Sequence, residues 1–271
     1  MRLSIDHRTT YRFSEPQARL TQMLRLSPED THDQSVTSWM LHVDCDARMR
    51  EGRDGFGNKV TMLYVQGPIS GIEIAVSGEV LTNPSHGVVS GAAEPLPPPL
   101  FLRATPLTEP SAAIAAFAQD AVAGKADPIA RMHALNGAVH RHFTLDPGRP
   151  VSSRTAAEAF ELKTATSRDL AHILAAAARG LGVPARYVSG YSPVNGGGDD
   201  APAPHGWVEM HVDGLGWVAF DPCTGICADE AYARIAVALD SAGAAPVAGS
   251  RLGEGEEEMD VDVHVEGGEE Q

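Results

Sequence analysis

Cysteine, long apolar runs and a basic surface are what this 271-residue chain lacks. Its three cysteines, Cys45, Cys223 and Cys227, are too few and too odd in number for a disulfide framework. No apolar stretch approaches the roughly 18 residues expected of a membrane-crossing helix. The opening MRLSIDHRTTYRF alternates apolar with polar residues and lacks the hydrophobic centre of a secretory leader. These absences set the expectation of a cytoplasmic protein with no membrane partner. The net charge is -15, and the nine acidic residues after Arg251, with no Lys or Arg among them, carry more than half of it. A nucleic-acid partner wants a basic face, so none is expected. The acidic end reads as a solubilising tail.

What is present is a globular composition, 43% hydrophobic and 21% charged, in a length that suits two modest domains or one elaborated one. Residues 1–83 read as an antiparallel β domain. Arg2 to His7, Trp39 to Asp44 and Gly71 to Val80 alternate, Val60 to Val65 reads as another strand, and Asp54-Gly55-Phe56-Gly57-Asn58 supplies a turn. Residues 84–110 form a Pro-rich stretch that reads as a stiff linker. A helix-plus-antiparallel-sheet core is expected over 111–250, making the chain α+β. Ser111 is placed to cap a helix running to Val122, and Ile129 to Phe143 has helical spacing. Thr155 and Glu158 form a capping box. Leu170, Leu174, Ala178 and Leu181 make an apolar stripe on a helix starting near Ser167, and Gly180, Gly182 and Pro184 stop it. Strands follow at Ala185 to Tyr191, Trp207 to Val212 and Trp217 to Phe220. The acidic tail, 251–271, should contain a last strand over 259–265 and fray from Glu266 to Gln271.

Thr166 to Pro222 carries the chemistry. It reads TSRDLAHILAAAARGLGVPARYVSGY, then a Gly/Asp-rich gap, then PHGWVEMHVDGLGWVAFDPCTG. The stretch resembles the core of the bacterial transglutaminase-like superfamily, a branch of the papain-like thiol enzymes. The D-G-F-G-N turn, Tyr11-Arg12-Phe13 and Leu24 to Pro28 similarly resemble the β domain that precedes this core. The resemblance implies a nucleophile in Cys-x-Asp-x-Ala-His, a base in His-x-Trp-Val-Glu and an orienting acid in Trp-Val-x-Phe-Asp-Pro. The matching positions here are Ser167, His205 and Asp221, so base and acid stand while a hydroxyl replaces the thiol. Ala165-Thr166 stands where the family usually has Gly-Val, and Gly206 where Ala is common; a single deliberate Cys→Ser change would leave those flanks untouched, so the serine reads as natural divergence ahead of an inactivating substitution.

Papain-like catalysis needs a nucleophile at a helix N-terminus, an imidazole from a neighbouring strand and a group that fixes its tautomer. The gaps of 38 and 16 residues between these positions suit a helix followed by two strands joined by the Asp213 to Gly216 turn. A helix N-terminus and an imidazolium can hold a thiol as thiolate, but they leave a serine hydroxyl neutral. The expectation is therefore a homologue that is weak or inactive in acyl transfer and binds a peptide or protein amide. The alternative is an amide or ester hydrolase using a Ser167–His205–Asp221 triad. Tyr187, Tyr191 and Trp207 are the candidates for lining a substrate cleft, against the plainer reading that they pack the core. Asp169 reads as a helix cap and His172 as a packing or hydrogen-bonding residue. Cys223 and Cys227, with His205 or His211, are spaced more loosely than a zinc knuckle. A nucleophile relocated to Cys223 is geometrically awkward. No metal and no cofactor are expected.

Overall fold

The computed structural model describes residues 1–148, 150–151, 153–193, 200–201 and 204–268. Four strands open the chain: β1 (Arg2–Leu24), β2 (Gln34–Val43), β3 (Arg48–Arg53) and β4 (Lys59–Thr82). A 3-10 turn, Pro98–Leu102, leads to α1 (Ala112–Val122) and α2 (Pro128–His142). After β5 (Thr144–Leu145) come α3 (Ala156–Phe160), β6 (Thr164–Ala165) and α4 (Ser167–Gly180). The chain continues through β7 (Ala185–Tyr191), β8 (Asp200–Ala201), β9 (His205–Val212), β10 (Gly216–Asp221), β11 (Ile226–Cys227) and β12 (Ala233–Ala238). It closes with β13 (Val247–Leu252) and β14 (Glu257–Gly268). The architecture is α+β, with antiparallel main sheets.

The first sheet is built on two very long strands. β1 and β4 pair along nearly their whole length, with register shifts between Arg12 and Gln17 and between Gln17 and Arg19. Their alternation delivers Tyr11, Phe13, Leu20, Leu63, Val65, Ile72 and Ile74 to one buried cluster. The two strands expected at Val60 to Val65 and Gly71 to Val80 are thus one continuous strand. The C-terminal strands complete this sheet: β13 pairs with Arg19–Leu24 of β1, and β14 with Arg2–Phe13. The division at residue 250 is corrected accordingly, because the last strands belong with the N-terminal β domain. The last strand is also longer than 259–265, running to Gly268, and residues 269–271 lie outside the described residues. Its outer residues are mostly exposed, and Val263 alone reaches full burial.

The second sheet runs β11-β10-β9-β7-β12. Helix α4 packs on it with Asp169 through Arg179 all buried, and the Ala175–Ala178 run lets the backbones approach closely. Arg179, inside that buried helix, satisfies itself on the carbonyls of Phe101, Ala185 and Leu239. Residues 84–110 are not a free linker. Val88 bridges to Val218, Phe101 is buried with its ring 5.1 Å from that of Trp217, and Glu94 pairs with Arg186. The prolines limit regular structure there, yet the segment packs along the core.

Polar side chains dock one sheet on the other. Asp54 accepts from the amides of Phe56 and Asn58, closing the turn on which Gly57 takes a φ of 88°. Asn58 then exchanges two hydrogen bonds with the backbone of Val237, and Gln34 does the same with Arg234. The D-G-F-G-N motif is therefore a docking device.

Candidate active site

Helix α4 begins where the nucleophile position falls. Thr166 caps it, accepting from the Asp169 amide, and Asp169 returns the bond to the Thr166 amide and hydroxyl. Arg154 adds an ion pair to Asp169 at 2.9 Å. Asp169 thus fixes the helix start. Ser167, the first helical residue, is half-buried. Its hydroxyl makes no hydrogen bond among the described residues, His205 included. Further along α4, His172 accepts from the Ser241 amide at 3.0 Å, and burial lowers its pKa to about 4. That neutral ring ties the helix to the turn after β12.

The base and the acid meet across adjacent strands. His205 opens β9, opposite Gly190 of β7, and Asp221 ends β10. Phe220 pairs with Val208, so one step further Asp221 faces Trp207, diagonal to His205 on the same side of the sheet. His205 Nε2 lies 2.9 Å from Asp221 Oδ2, with both side chains buried. Tyr232 donates its hydroxyl to the same oxygen at 2.6 Å, and the Cys223 amide donates to the other at 2.8 Å. Burial alone opposes the Asp221 charge, but His205, Tyr232 and the Cys223 amide outweigh it and hold the carboxyl below its usual range. Asn136 pins the turn beyond, donating to the carbonyls of Asp221 and Ile226.

The three proposed cleft residues part company. Tyr187 sits beside the site: Arg168 reaches its hydroxyl, and burial pushes its pKa up to about 12. That hydroxyl lies so close to Gly206 that a Cβ there would meet it at 2.2 Å. Glycine at 206, where the family often has alanine, is thus matched to this tyrosine. Tyr191 is 1% exposed, bonded to His7 Nδ1 at 2.7 Å and packed near Trp39, so it belongs to the junction between the sheets. Trp207 is likewise 1% exposed and lies under His205 and against Tyr232, where it supports the base.

Glu209, two residues further along β9, is fully buried between Arg186 and Arg234. Burial alone would raise its pKa, but the two guanidinium groups outweigh it and hold the carboxyl at about 2. Arg186 also stacks on the Trp217 ring at 4.0 Å. This cluster locks β7, β9 and β12 together, so the strand that presents His205 is held from below. Tyr232, Asn136 and this clamp were not anticipated. Tyr232 lies in no motif, and only the path of the chain after Asp221 brings it back. The glutamate of His-x-Trp-Val-Glu was visible, but its partners come from other strands.

Each thiol is pushed away from the thiolate form. Burial first, and then the adjacent Asp221 carboxylate, push Cys223 well above the usual thiol range. Burial raises Cys227 to about 11, and burial with Asp44 and Asp46 raises Cys45. A nitrogen of His205, a carboxylate oxygen of Asp221 and Cys223 Sγ lie within 4.8 Å of one another.

Comparison with known proteins agrees with this arrangement. Residues 3–81 match the bacterial transglutaminase-like N-terminal region, and residues 115–222 match the transglutaminase-like superfamily core. Over 278 aligned residues the chain is 25% identical to Uncharacterized protein ML0607 of Mycobacterium leprae (strain TN), covering 97% of this chain and 98% of that one. The crystal structure of a proposed cysteine protease from Cytophaga hutchinsonii superposes with a TM-score of 0.76 at 19% identity. That match covers 100% of this chain and 92% of the other and shows a shared fold.

Proposed function

This chain belongs to the transglutaminase-like superfamily, and on that basis we propose that it binds peptide or protein amides and is weak or inactive in acyl transfer. The observation that carries this reading is the state of its thiols. Ser167 occupies the start of α4, and the three cysteines all have raised pKa values. A papain-like site works from a thiolate already present at rest. A neutral hydroxyl with no bond to its base must lose its proton during attack, which this arrangement does little to assist. The three free thiols support a reducing, cytoplasmic setting.

A second reading is favoured by one observation, the intact 2.9 Å contact between His205 and Asp221. In it Ser167 attacks an amide or ester carbonyl while His205 takes its proton and Asp221 holds the ring. Labelling the full chain with a serine-reactive fluorophosphonate, beside Ser167→Ala, separates the two. Negligible labelling of both proteins is expected. Stoichiometric labelling that vanishes in Ser167→Ala would transfer the conclusion to the hydrolase.

A further inference from the structure

The sulfur of Cys223 stands at the base–acid pair, and the proton-transfer scheme does not use it. It follows Asp221 by two positions, in the turn between β10 and β11, and its amide already clasps one carboxylate oxygen. Its sulfur, a ring nitrogen of His205 and a carboxylate oxygen of Asp221 converge within 4.8 Å. We infer that His205, Asp221 and Cys223 form a binding site for a single thiophilic divalent cation, with zinc the best fit.

Three features support this assignment. The first is the donor set, because one imidazole, one carboxylate and one thiolate are all ordinary ligands of zinc. Two anions and a neutral ring balance a doubly charged ion, which would take the place of the thiol's proton. The second is distance. Bonds of roughly 2.0–2.3 Å at a tetrahedral ion place its ligand atoms about 3.3–3.7 Å apart. Closing the site from the present spacing needs a movement of about 1 Å, within reach of a partly buried side chain on a turn. The third is support behind the ligands. Tyr232 fixes Asp221 through its hydroxyl, and Asn136 holds the Asp221 and Ile226 carbonyls, so the carboxylate and its turn are oriented in advance.

The sequence pairs Cys223 with Cys227, but the structure parts them. Cys227 turns toward Gly87, where a Cβ would meet its sulfur at 3.1 Å, and Asp221 is the donor that stands with Cys223 instead. Three protein ligands leave a fourth position for water or a substrate group. An ion bonded to His205 and Asp221 would replace the hydrogen bond between them, so metal binding and proton transfer by His205 exclude each other. The presence of this pair beside a serine then has a reason other than catalysis. The inference does not depend on peptide binding, and its test reads the metal alone.

The full chain, stripped with chelator and dialysed, is titrated with cobalt(II) and then with zinc. One cobalt per chain should give a near-ultraviolet thiolate-to-metal charge-transfer band that one equivalent of zinc removes. Cys223→Ser should abolish the band and weaken zinc binding by more than the about 10–100-fold that follows loss of a supporting residue around a metal. Cys227→Ser should keep both. His205→Gln, checked for an unchanged circular dichroism spectrum, should also lose tight binding. The inference is overturned if the parent takes up no cobalt, or if the band survives Cys223→Ser. Loss of the band in Cys227→Ser would likewise overturn it.

Discussion

The two halves of the candidate site are built to different standards. On the acid side, Asp221 is fully buried and takes hydrogen bonds from His205, Tyr232 and the Cys223 amide. The strand bearing its partner is clamped through Glu209 by Arg186 and Arg234. On the nucleophile side the helix is equally well anchored, by Thr166, Asp169 and Arg154, yet Ser167 at its tip is half-buried and makes no side-chain hydrogen bond among the described residues. A buried charge tolerates little change, because unmet polar groups there carry their full desolvation penalty. A half-buried hydroxyl carries no such constraint. Persistence of the acid side is therefore weak testimony for catalysis, since packing alone would preserve much of it.

The sharpest test of that contrast is a pair of alanine variants. Asp221→Ala removes the buried partner of three donors and should cost about 3–5 kcal/mol. The melting temperature should fall on the order of 10 °C. Ser167→Ala should stay within about 0.5 kcal/mol of the parent. Equal losses in the two variants would mean that Ser167 is also part of the fold's support and that the halves do not differ.

Tyr232→Phe probes the same contrast with one atom. The phenol donates to an ionised carboxylate, a bond worth roughly 1.5–3 kcal/mol, and the ring remains to pack on Trp207. Denaturant unfolding should place the loss inside that range. A neutral result would show that His205 and the Cys223 amide suffice to hold Asp221.

How far these features were legible depended on range. The caps at Ser111, Thr155 and Thr166 are local chemistry, and they occur where the residues three positions on allow them. His205 and Asp221 were legible from motifs on two strands that only a three-residue turn, Asp213 to Leu215, separates. The alternation from Met259 to Val265 announced a strand but not its partner, because alternation specifies a buried face and says nothing of which edge receives it. Its pairing with β1, some 250 residues earlier in the chain, follows from tertiary packing. Val60 to Val65 and Gly71 to Val80 read as two strands, whereas β4 runs through Gly67, Pro68 and Gly71 and its pairing with β1 resumes beyond register shifts between Arg12 and Arg19. Tyr191 and Trp207 were read as cleft candidates against the plainer reading that they pack the core, and both side chains are buried, Tyr191 on His7 and Trp207 beneath His205.

Acid titration compares the anchoring of α4 with that of the acid side. Burial lowers the pKa of His172 from 6.5 to about 4, and that of His7 likewise, so both rings stay neutral in the fold while the unfolded chain takes up protons. Their contribution to stability is complete above about pH 6.5 and is lost as the pH falls toward 4. Glu209, held at about 2, keeps its contribution above about 4.5 and loses it only as the pH falls toward 2. Unfolding free energies measured between pH 6.5 and 5 therefore report chiefly these histidines, ahead of Glu209. His172→Gln, which can still accept from the Ser241 amide, should flatten that slope by up to about 1.4 kcal/mol per pH unit. An unchanged slope would show that His172 does not hold the helix as a neutral ring.

The smallest effect on the fold carries the most information about the site. Ser167→Cys exchanges one atom at a half-buried position, so stability should change by less than about 0.5 kcal/mol. The introduced thiol would sit in the first turn of α4, where the helix dipole favours an anion. Its pKa is expected below the unperturbed value of roughly 8.5, read as the inflection in iodoacetamide alkylation rate against pH. The three native thiols all have raised pKa values and should stay slow across that range, so the parent protein supplies the baseline. A low inflection would mean that the helix end still activates a sulfur and that the serine alone silences the site. Adding zinc sharpens the result, since an ion on His205, Asp221 and Cys223 would take the base away and raise the inflection. An inflection at or above 8.5 without metal would mean that the activating surroundings have decayed together with the cysteine, leaving the acid side as a structural or metal-binding remnant.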